Sequence, residues 1–312
     1  MGIVTNEINA KSKGGTELSI GELGSVLPQD LLDKFQIIPS RFRGAEPGKK
    51  MIYWAHDLPG DPECDHLKAG GYNQYEKLVF VSNWQMQRFV DHYGIPWRKC
   101  VVLPNAIWPV ECPEEKDNSE IRLIYHTTPH RGLAILVPVF QELVKHFPEK
   151  KLKLDVFSSF AIYGWPERDE PFKPLFDQCR EDPNINYHGC AEQSEVRKTL
   201  ANAHIFAYPS IWAETGCRSL MEAMSAKLVC VHSNYGCLAE TAAGWTWMYQ
   251  YHENPRDHAN VFFNALYNAI KAMDNVPESM ESRLASQQSY ANVFYSWQQR
   301  QHEWRGLLES LV

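Results

Sequence analysis

An α/β fold of two domains, each with a parallel sheet wound on both faces by helices, is what this 312-residue sequence predicts. Three observations carry the prediction. From Ile121 onward, short β-rich apolar runs alternate with amphipathic helical stretches. The first hundred residues repeat the alternation more compactly, and a Pro- and charge-rich stretch, "WPVECPEEKDNSE", stands between the halves. Such runs separated by helices imply parallel strands covered on both faces, with ligands at their carboxyl ends.

In the first half a short strand is expected ahead of "KGGTEL", and "FQIIPS", "KMIYWAH", "KLVFVS" and "CVVLP" read as further strands. Helices are predicted over Thr16 to Leu27 and Asn83 to His92. The linker places the boundary near 108–119, with a first domain over 1–110 and a second over 111–289. In the second half the strands are "IRLIYHT", "LKLDVFSS", "INYHG", "HIFAYPS" and "LVCVHS". Helices fit over Gly132 to Phe147, Phe172 to Arg180, Gln193 to Ala203 and Cys217 to Ala226. In the first of these Leu133, Leu136, Val137, Phe140, Leu143 and Val144 recur at helical spacing. The tail from about Arg283 to Leu311 reads as one long helix anchored by Phe294, Trp297, Trp304, Leu307 and Leu308.

Composition removes several function classes. The formal charge of −7 gives no general basic field, so no stable nucleic-acid partner is expected. No apolar run reaches the length of a membrane span, and "MGIVTNEINAKSKGG" lacks the apolar core of a signal peptide. Asn6 stands where a myristoylation signal wants Ser or Thr. The eight cysteines form no C-x-x-C pair and fall mainly in or beside apolar strands. Reduced, buried thiols and a cytoplasmic location are therefore expected. "DPECDH" and "YHTTPH" match no zinc spacing, no convincing Asp-x-Asp follows an apolar strand and no G-x-S-x-G elbow occurs. No metal site and no serine-hydrolase chemistry are expected. The stripe Trp84, Arg88, Phe89, His92, Tyr93, Trp97, Arg98 and Lys99 reads as a half-buried helix and its exit, allowing at most peripheral membrane contact.

Chemistry concentrates around Glu214 and Glu222, eight positions apart in "YPSIWAETGCRSLMEAMSAKLVCV" between two apolar strands. Eight helical residues span about 12 Å, roughly the reach from a nucleotide's ribose past its diphosphate to an attached sugar. One carboxylate near a helix start and another two turns on would then accept hydroxyls at both ends. The free N–H groups of Thr215, Gly216, Cys217, Arg218 and Ser219 suit the diphosphate between them. In "YHTTPHRGL", Thr128 lies in the turn after a strand, and Arg131 opens a helix where its guanidinium can pair with diphosphate oxygens. Gly14 and Gly15 allow close backbone approach to a phosphate or sugar, with Thr16 placed to cap the next helix. His56 and Asp57 end an apolar strand in "YWAHDLPGDP".

These motifs, in this order, resemble retaining glycosyltransferases of the GT-B fold, family 4 in particular, over nearly the whole chain. The resemblance implies that Glu214 orients sugar hydroxyls, Glu222 the ribose and His56 the sugar from the opposite domain, with Asp57 on the acceptor side. It places His188, Gly189 and Cys190 in a loop beside the nucleotide base, and returns the C-terminal helix, about 290–312, to the first domain. Relatives usually carry a second cation five residues before the one at Arg131; here His126 stands in that place, which puts the two-cation clamp in doubt. Asn105-Ala106 replaces the more usual Asn-Gly.

The implied reaction moves a sugar from a nucleoside diphosphate donor, UDP- or GDP-linked, to a glycan or other hydroxyl-bearing acceptor. The anomeric configuration is kept, without cofactor or metal, and the leaving phosphate takes the acceptor's proton. Three other readings stay open on the residues alone: a sugar-nucleotide epimerase or hydrolase of the same fold, a non-catalytic sugar-nucleotide-binding protein, and a DNA-modifying transferase.

Overall fold

The computed structural model describes Ile3 and residues 14–312. The chain divides into two compact units. The first comprises the chain up to Ile107 together with Thr215–Arg218 and Tyr295–Val312; the second comprises Trp108–Glu214 and Ser219–Phe294.

In the first unit β1 (Phe35–Pro39), β2 (Lys50–Ala55), β3 (Lys77–Phe80) and β4 (Cys100–Val102) lie side by side in that order, all parallel. Every residue of β1 is buried, as a strand covered on both faces requires. Ile3 makes an isolated parallel bridge to Ile37; Lys13 and the rest of the short strand expected before it lie outside the described residues. Helices α1 (Gly15–Val26) and α2 (Gln29–Leu32) precede β1, and α3 (Asn83–Tyr93) follows β3. The ends of α3 are chemically defined: Ser82 Oγ accepts the Gln85 N–H, and Gly94 closes the helix at φ 66°.

The second unit holds β5 (Ile121–Tyr125), β6 (Leu152–Val156), β7 (Ile185–Tyr187), β8 (Ile205–Tyr208), β9 (Val229–Ser233) and β10 (Trp247–Tyr249). They form one parallel sheet in the order β10-β9-β8-β5-β6-β7. The order reverses at β5, and the residues just beyond β5, β6 and β8 share one rim of the sheet, where an open α/β sheet takes its ligand. Helix α4 (Leu133–His146) buries Leu133, Leu136, Val137, Phe140 and Leu143. Pro138 sits inside it, on the exposed side with Ala134, so the carbonyl that loses its helical N–H faces water. The remaining helices are α5 (Lys173–Glu181), α6 (Gln193–Asn202), α7 (Arg218–Ser225), α8 (Leu238–Ala242), α9 (Pro255–Asn275), α10 (Pro277–Phe294) and α11 (Trp297–Leu311).

α11 belongs to the first unit, where Trp297, Trp304 and Leu308 join a core with Ile20, Leu23, Phe35, Ile37, Ile52 and Trp54. Trp304 packs edge-on to Trp54 at 5.1 Å. Truncating such an indole to alanine costs about 3–5 kcal/mol.

Four expectations are corrected. The tail is two helices, because Ser296 caps α11 through the Gln299 N–H and Tyr295 gives its carbonyl to the Ile107 N–H. Phe294, expected as an anchor, is 43% exposed and stacks on Tyr290. Thr16 does not cap α1: the helix starts at Gly15, so Gly14 holds the cap position. Cys190 is exposed, unlike the buried Cys64, Cys179, Cys217, Cys230 and Cys237, and no disulfide joins any of the eight.

Candidate active site

The loop after β5 is built to hold a fixed shape. Tyr125 Oη donates to the Thr128 carbonyl at 2.9 Å, and Pro129 opens a single 3₁₀ turn over Pro129–Arg131. Gly132 follows at φ 132°, where a Cβ would lie 2.3 Å from the Pro209 carbonyl oxygen. The Ile211 N–H donates to the Arg131 carbonyl at 3.2 Å. The turn carrying Arg131 is thereby seated against the loop after β8.

Arg131 Nη1 donates to Glu214 Oε1 at 2.5 Å, and Tyr208 Oη donates to the same oxygen. The Glu214 side chain is 6% exposed and that of Arg131 22%. Burial works against the guanidinium's charge, but the facing Glu214 carboxylate outweighs it and holds the Arg131 pKa well above its ordinary value. Trp212 lies beneath, with Arg131 Cζ 5.7 Å from its ring centroid.

Glu214 lies near a helix start, in extended chain four residues before α7. It forms an isolated parallel bridge with Gly236, and its carbonyl accepts the Cys237 N–H at 2.8 Å. At φ 68°, Gly236 could not carry a Cβ, which would fall 2.4 Å from the Glu214 nitrogen. That pairing keeps the segment extended.

Glu222 lies inside α7 and is 5% exposed. Gln193 Nε2, at the first position of α6, donates to Glu222 Oε1 at 3.0 Å. Its other oxygen, Oε2, lies 3.8 Å from His126 Nε2, with the two side chains 6% and 5% exposed. Burial drives the His126 pKa down to about 3 against a small opposing pull from the Ser219 backbone, so the imidazole is neutral at physiological pH. Neither of its ring nitrogens makes a well-formed hydrogen bond.

His126 is one of several such groups. Thr128 Oγ1, His130 Nδ1 and Arg131 Nε beyond β5, and Ser158 Oγ beyond β6, are also buried without hydrogen-bond partners. Buried polar atoms are normally satisfied, so their concentration along one rim marks a place where a polar ligand completes the bonding. His130 stacks on Phe160 at 5.1 Å and meets Trp212 edge-on at 4.9 Å. Burial, with the Arg131 and Arg168 charges, lowers its pKa to about 4.

Further along the rim, a cleft of about 500 Å³ opens among Ser159, Asp169, Lys173, Phe176, Tyr187 and His188, with Gly189 at its edge. His188 is held as part of the wall: it stacks on Phe157 at 4.2 Å and approaches Asp155 Oδ1 at 2.9 Å, and Asp155 also receives Arg122 and Asn186. Tyr187 stacks on Phe176 at 4.9 Å. The cleft's basic residues are paired locally, Lys173 with Glu170 and Arg180 with Asp177, both at 2.5 Å. Asp169, held by the Ser159 hydroxyl and the Phe160 N–H, adds a carboxylate, so the walls mix aromatic rings with charged and polar groups.

Thr215–Arg218 belongs to the first unit. Ser82 Oγ donates to the Thr215 carbonyl at 2.7 Å, Asn105 Nδ2 to the Gly216 carbonyl at 2.9 Å, and Thr215 Oγ1 to the His56 carbonyl at 2.9 Å. A Cβ on Gly216 would lie 2.7 Å from Val81 Cγ2. Cys217 is buried, and Ser219 Oγ, in the second unit, donates to the His126 carbonyl at 3.4 Å. Arg218 is 8% exposed; its Nη1 donates to Glu22 at 2.7 Å and Ser19 at 2.9 Å, beside Gly15. His56 Nε2 is buried without a partner, and burial, with the Arg218 charge, lowers its pKa to about 3. Burial raises the Asp57 carboxyl.

Tyr208, Gln193, Trp212 and Gly236 were not singled out by sequence reasoning. Tyr208 reads only as a strand residue, and Gln193 only as a helix start. Gly236 had a signal, a glycine in "SNYGC" directly after a buried strand. Among the described residues, no group of three or more His, Cys, Asp or Glu is placed to hold a metal, and no helix is long and apolar enough to cross a membrane.

Residues 116–260, a little under half of the chain, match the family described as glycosyl transferases group 1. Among curated proteins, none has a matching sequence. Solved structures resemble the chain at low identity. A glycosyltransferase from Rickettsia africae superposes with a TM-score of 0.68 at 16% identity, covering 97% of this chain and 84% of its own. Anabaena HepE in complex with UDP and glucose gives 0.65 at 12%, covering 95% and 83%. The pneumococcal O-GlcNAc transferase GtfA in complex with UDP and GlcNAc gives 0.63 at 13%; this chain covers 59% of its length and 94% of itself is matched. The fold is GT-B, two Rossmann-like domains with parallel sheets.

Proposed function

We propose, starting from a chain that carries a group 1 glycosyl transferase domain in residues 116–260, that this glycosyltransferase moves a sugar from a nucleoside diphosphate donor to an acceptor hydroxyl with retention of configuration. One observation carries the reading: the row of buried, unpartnered polar atoms beyond β5 and β6, next to a guanidinium held by Glu214.

Breaking the glycosidic bond builds negative charge on the departing diphosphate, and a positive group already fixed in place lowers the barrier without reorganisation. Arg131 is assigned that role, with Thr128 Oγ1 and Ser158 Oγ as further donors. In the absence of donor, Arg131 is neutralised by Glu214; a diphosphate can draw on its unused Nε while Glu214 turns to the sugar hydroxyls. Glu222 is assigned to the ribose, and the cleft by Tyr187 and His188, whose basic residues are paired and whose Asp169 repels anions, suits a uracil or guanine base better than a phosphate. His56, uncharged and with a free ring nitrogen, is assigned a hydrogen-bonding role toward substrate hydroxyls. Asp57 is kept on the acceptor side. No side-chain base and no metal enter this scheme, and a cytoplasmic location is part of it.

The test is to incubate the protein with UDP- and GDP-sugars and an acceptor panel, following nucleotide release and the anomeric configuration of the product by NMR. Transfer with retention, surviving a metal chelator, is expected. Glu222→Ala should raise donor KM, and Arg131→Ala should mainly lower kcat. Release of free sugar with every acceptor would favour a hydrolase, and inversion or complete loss in chelator would contradict the scheme.

A further inference from the structure

We propose that Ser40 is a positioning residue for the acceptor side of this transferase: its hydroxyl accepts the His56 N–H and donates to the Asp57 carboxylate, fixing that carboxylate where the acceptor's hydroxyl binds. The inference rests on the transferase reading above and adds a residue to it.

Two neighbouring strand ends bring the three residues together. β1 and β2 pair in parallel with Pro39 beside Trp54, so Ser40 and the His56-Asp57 pair leave the sheet at the same rim. Ser40 extends the ladder by one bond, its N–H donating to the Trp54 carbonyl at 3.0 Å. Its hydroxyl oxygen then takes the His56 N–H at 3.0 Å. The backbone thereby engages that oxygen as an acceptor, and its single proton is left for Asp57.

Ser40 is buried at φ 64°, in the left-handed region where a Cβ is disfavoured and glycine is at no disadvantage. What serine adds at this position is its hydroxyl. The bend is supported from outside: Tyr75 Oη donates to His66 Nδ1 at 2.9 Å, which leaves the ring's proton on Nε2, 3.4 Å from the Ser40 carbonyl. Beyond β2 the chain is pinned as well. Thr215 Oγ1 donates to the His56 carbonyl and the buried Gln85 amide to that of Asp57, both at 2.9 Å. With both carbonyls and the His56 N–H taken, the torsion of the Asp57 side chain is what remains to be set, and the Ser40 hydroxyl sets it.

The test combines kinetics with a titration. UDP- and GDP-linked glucose, mannose and N-acetylglucosamine serve as donors, and the methyl glycosides of glucose, galactose, mannose and N-acetylglucosamine as acceptors. Ser40→Gly removes the hydroxyl and relieves the backbone, so the variant should fold. It should raise acceptor KM about tenfold while donor KM changes less than about twofold. Ser40→Cys, with a similar shape and a weaker donor, should fall between. In an Asp57→Ala background Ser40→Gly should add less than about twofold, because the group it orients is gone. Losing an O–H that favours the carboxylate should also move the Asp57 titration, followed by carbon-detected NMR, to higher pH. Asp61, Glu63 and Arg41, which act on the same carboxyl, are retained in the variant. An acceptor KM within about twofold of wild type, equal losses toward donor and acceptor, multiplicative losses with Asp57→Ala, or an unmoved titration overturns the inference and leaves the transferase reading intact. No transfer by the wild type to any of these glycosides removes both.

Discussion

Two basic turns, Thr128–Gly132 in the second unit and Thr215–Arg218 in the first, begin from similar ingredients: a threonine, a glycine, an arginine and a following helix. Their hydrogen bonding differs. Arg218 has both guanidinium ends on Glu22 and a third contact to Ser19, and the carbonyls of Thr215 and Gly216 are taken by Ser82 and Asn105. Arg131 uses Nη1 on Glu214, keeps Nε without a partner, and stands among other unpartnered groups. One turn is finished by the protein itself; the other is left for something to complete. Residue type and helix position look alike in the two, and only the count of unused donors separates a structural arginine from a candidate for chemistry.

That contrast can be broken or sharpened by substitution. The largest effect is expected from Gly132→Ala, which places a Cβ 2.3 Å from the Pro209 carbonyl in a backbone conformation closed to alanine. A loss on the order of 4 kcal/mol is expected in urea unfolding, and a loss under 1 would mean the turn is free to move. Next, Arg131→Ala should lower kcat by about a hundred- to a thousandfold at temperatures where the variant is folded. A kcat within twofold of wild type would make this turn as structural as the other. Arg218→Ala should do the reverse: about 2 kcal/mol of stability lost by stranding the mostly buried Glu22, discounted for its partial exposure, with kcat nearly unchanged.

The effect with the smallest change per pH step concerns acid stability. His56, His126 and His232 have pKa values lowered by burial of their rings from 6.5 to about 3, 3 and 4. Keeping them neutral favours the folded state above pH 6.5, and that advantage is lost as pH falls toward 4. Each should contribute a slope of about 1.4 kcal/mol per pH unit in that window. Urea titrations at pH 7, 6 and 5 read the slope, and His232→Gln should flatten it by one histidine's share.

Much of this was legible in the chain. β5, β6, β8 and β9 are apolar runs with little competition from other periodicities, and α4 shows its buried stripe directly. The 21-residue α9 escaped because its apolar face is interleaved with Asn and His, although Asn254-Pro255 and Asp257 form a recognisable start; Asn254 does cap it. The tail break at Ser296 was visible as a Ser-x-x-Gln box and was overridden by the length of the apolar pattern. At the site, Glu214, Glu222 and Arg131 could be named from context. Their pairing could not, because the Arg131–Glu214 contact joins residues 83 positions apart and depends on Gly132 and Gly236 to aim the two loops.

The placement of α11 has a consequence for how the molecule is made. The core of the first unit includes Trp297, Trp304 and Leu308, so on the ribosome its four strands emerge long before the side chains that seal them. Translation must pass through the whole second unit while that apolar surface waits. The amino-terminal half should therefore depend on holding chaperones during synthesis, and nascent chains stalled before Trp297 should be protease-sensitive there even after the later sheet has become resistant.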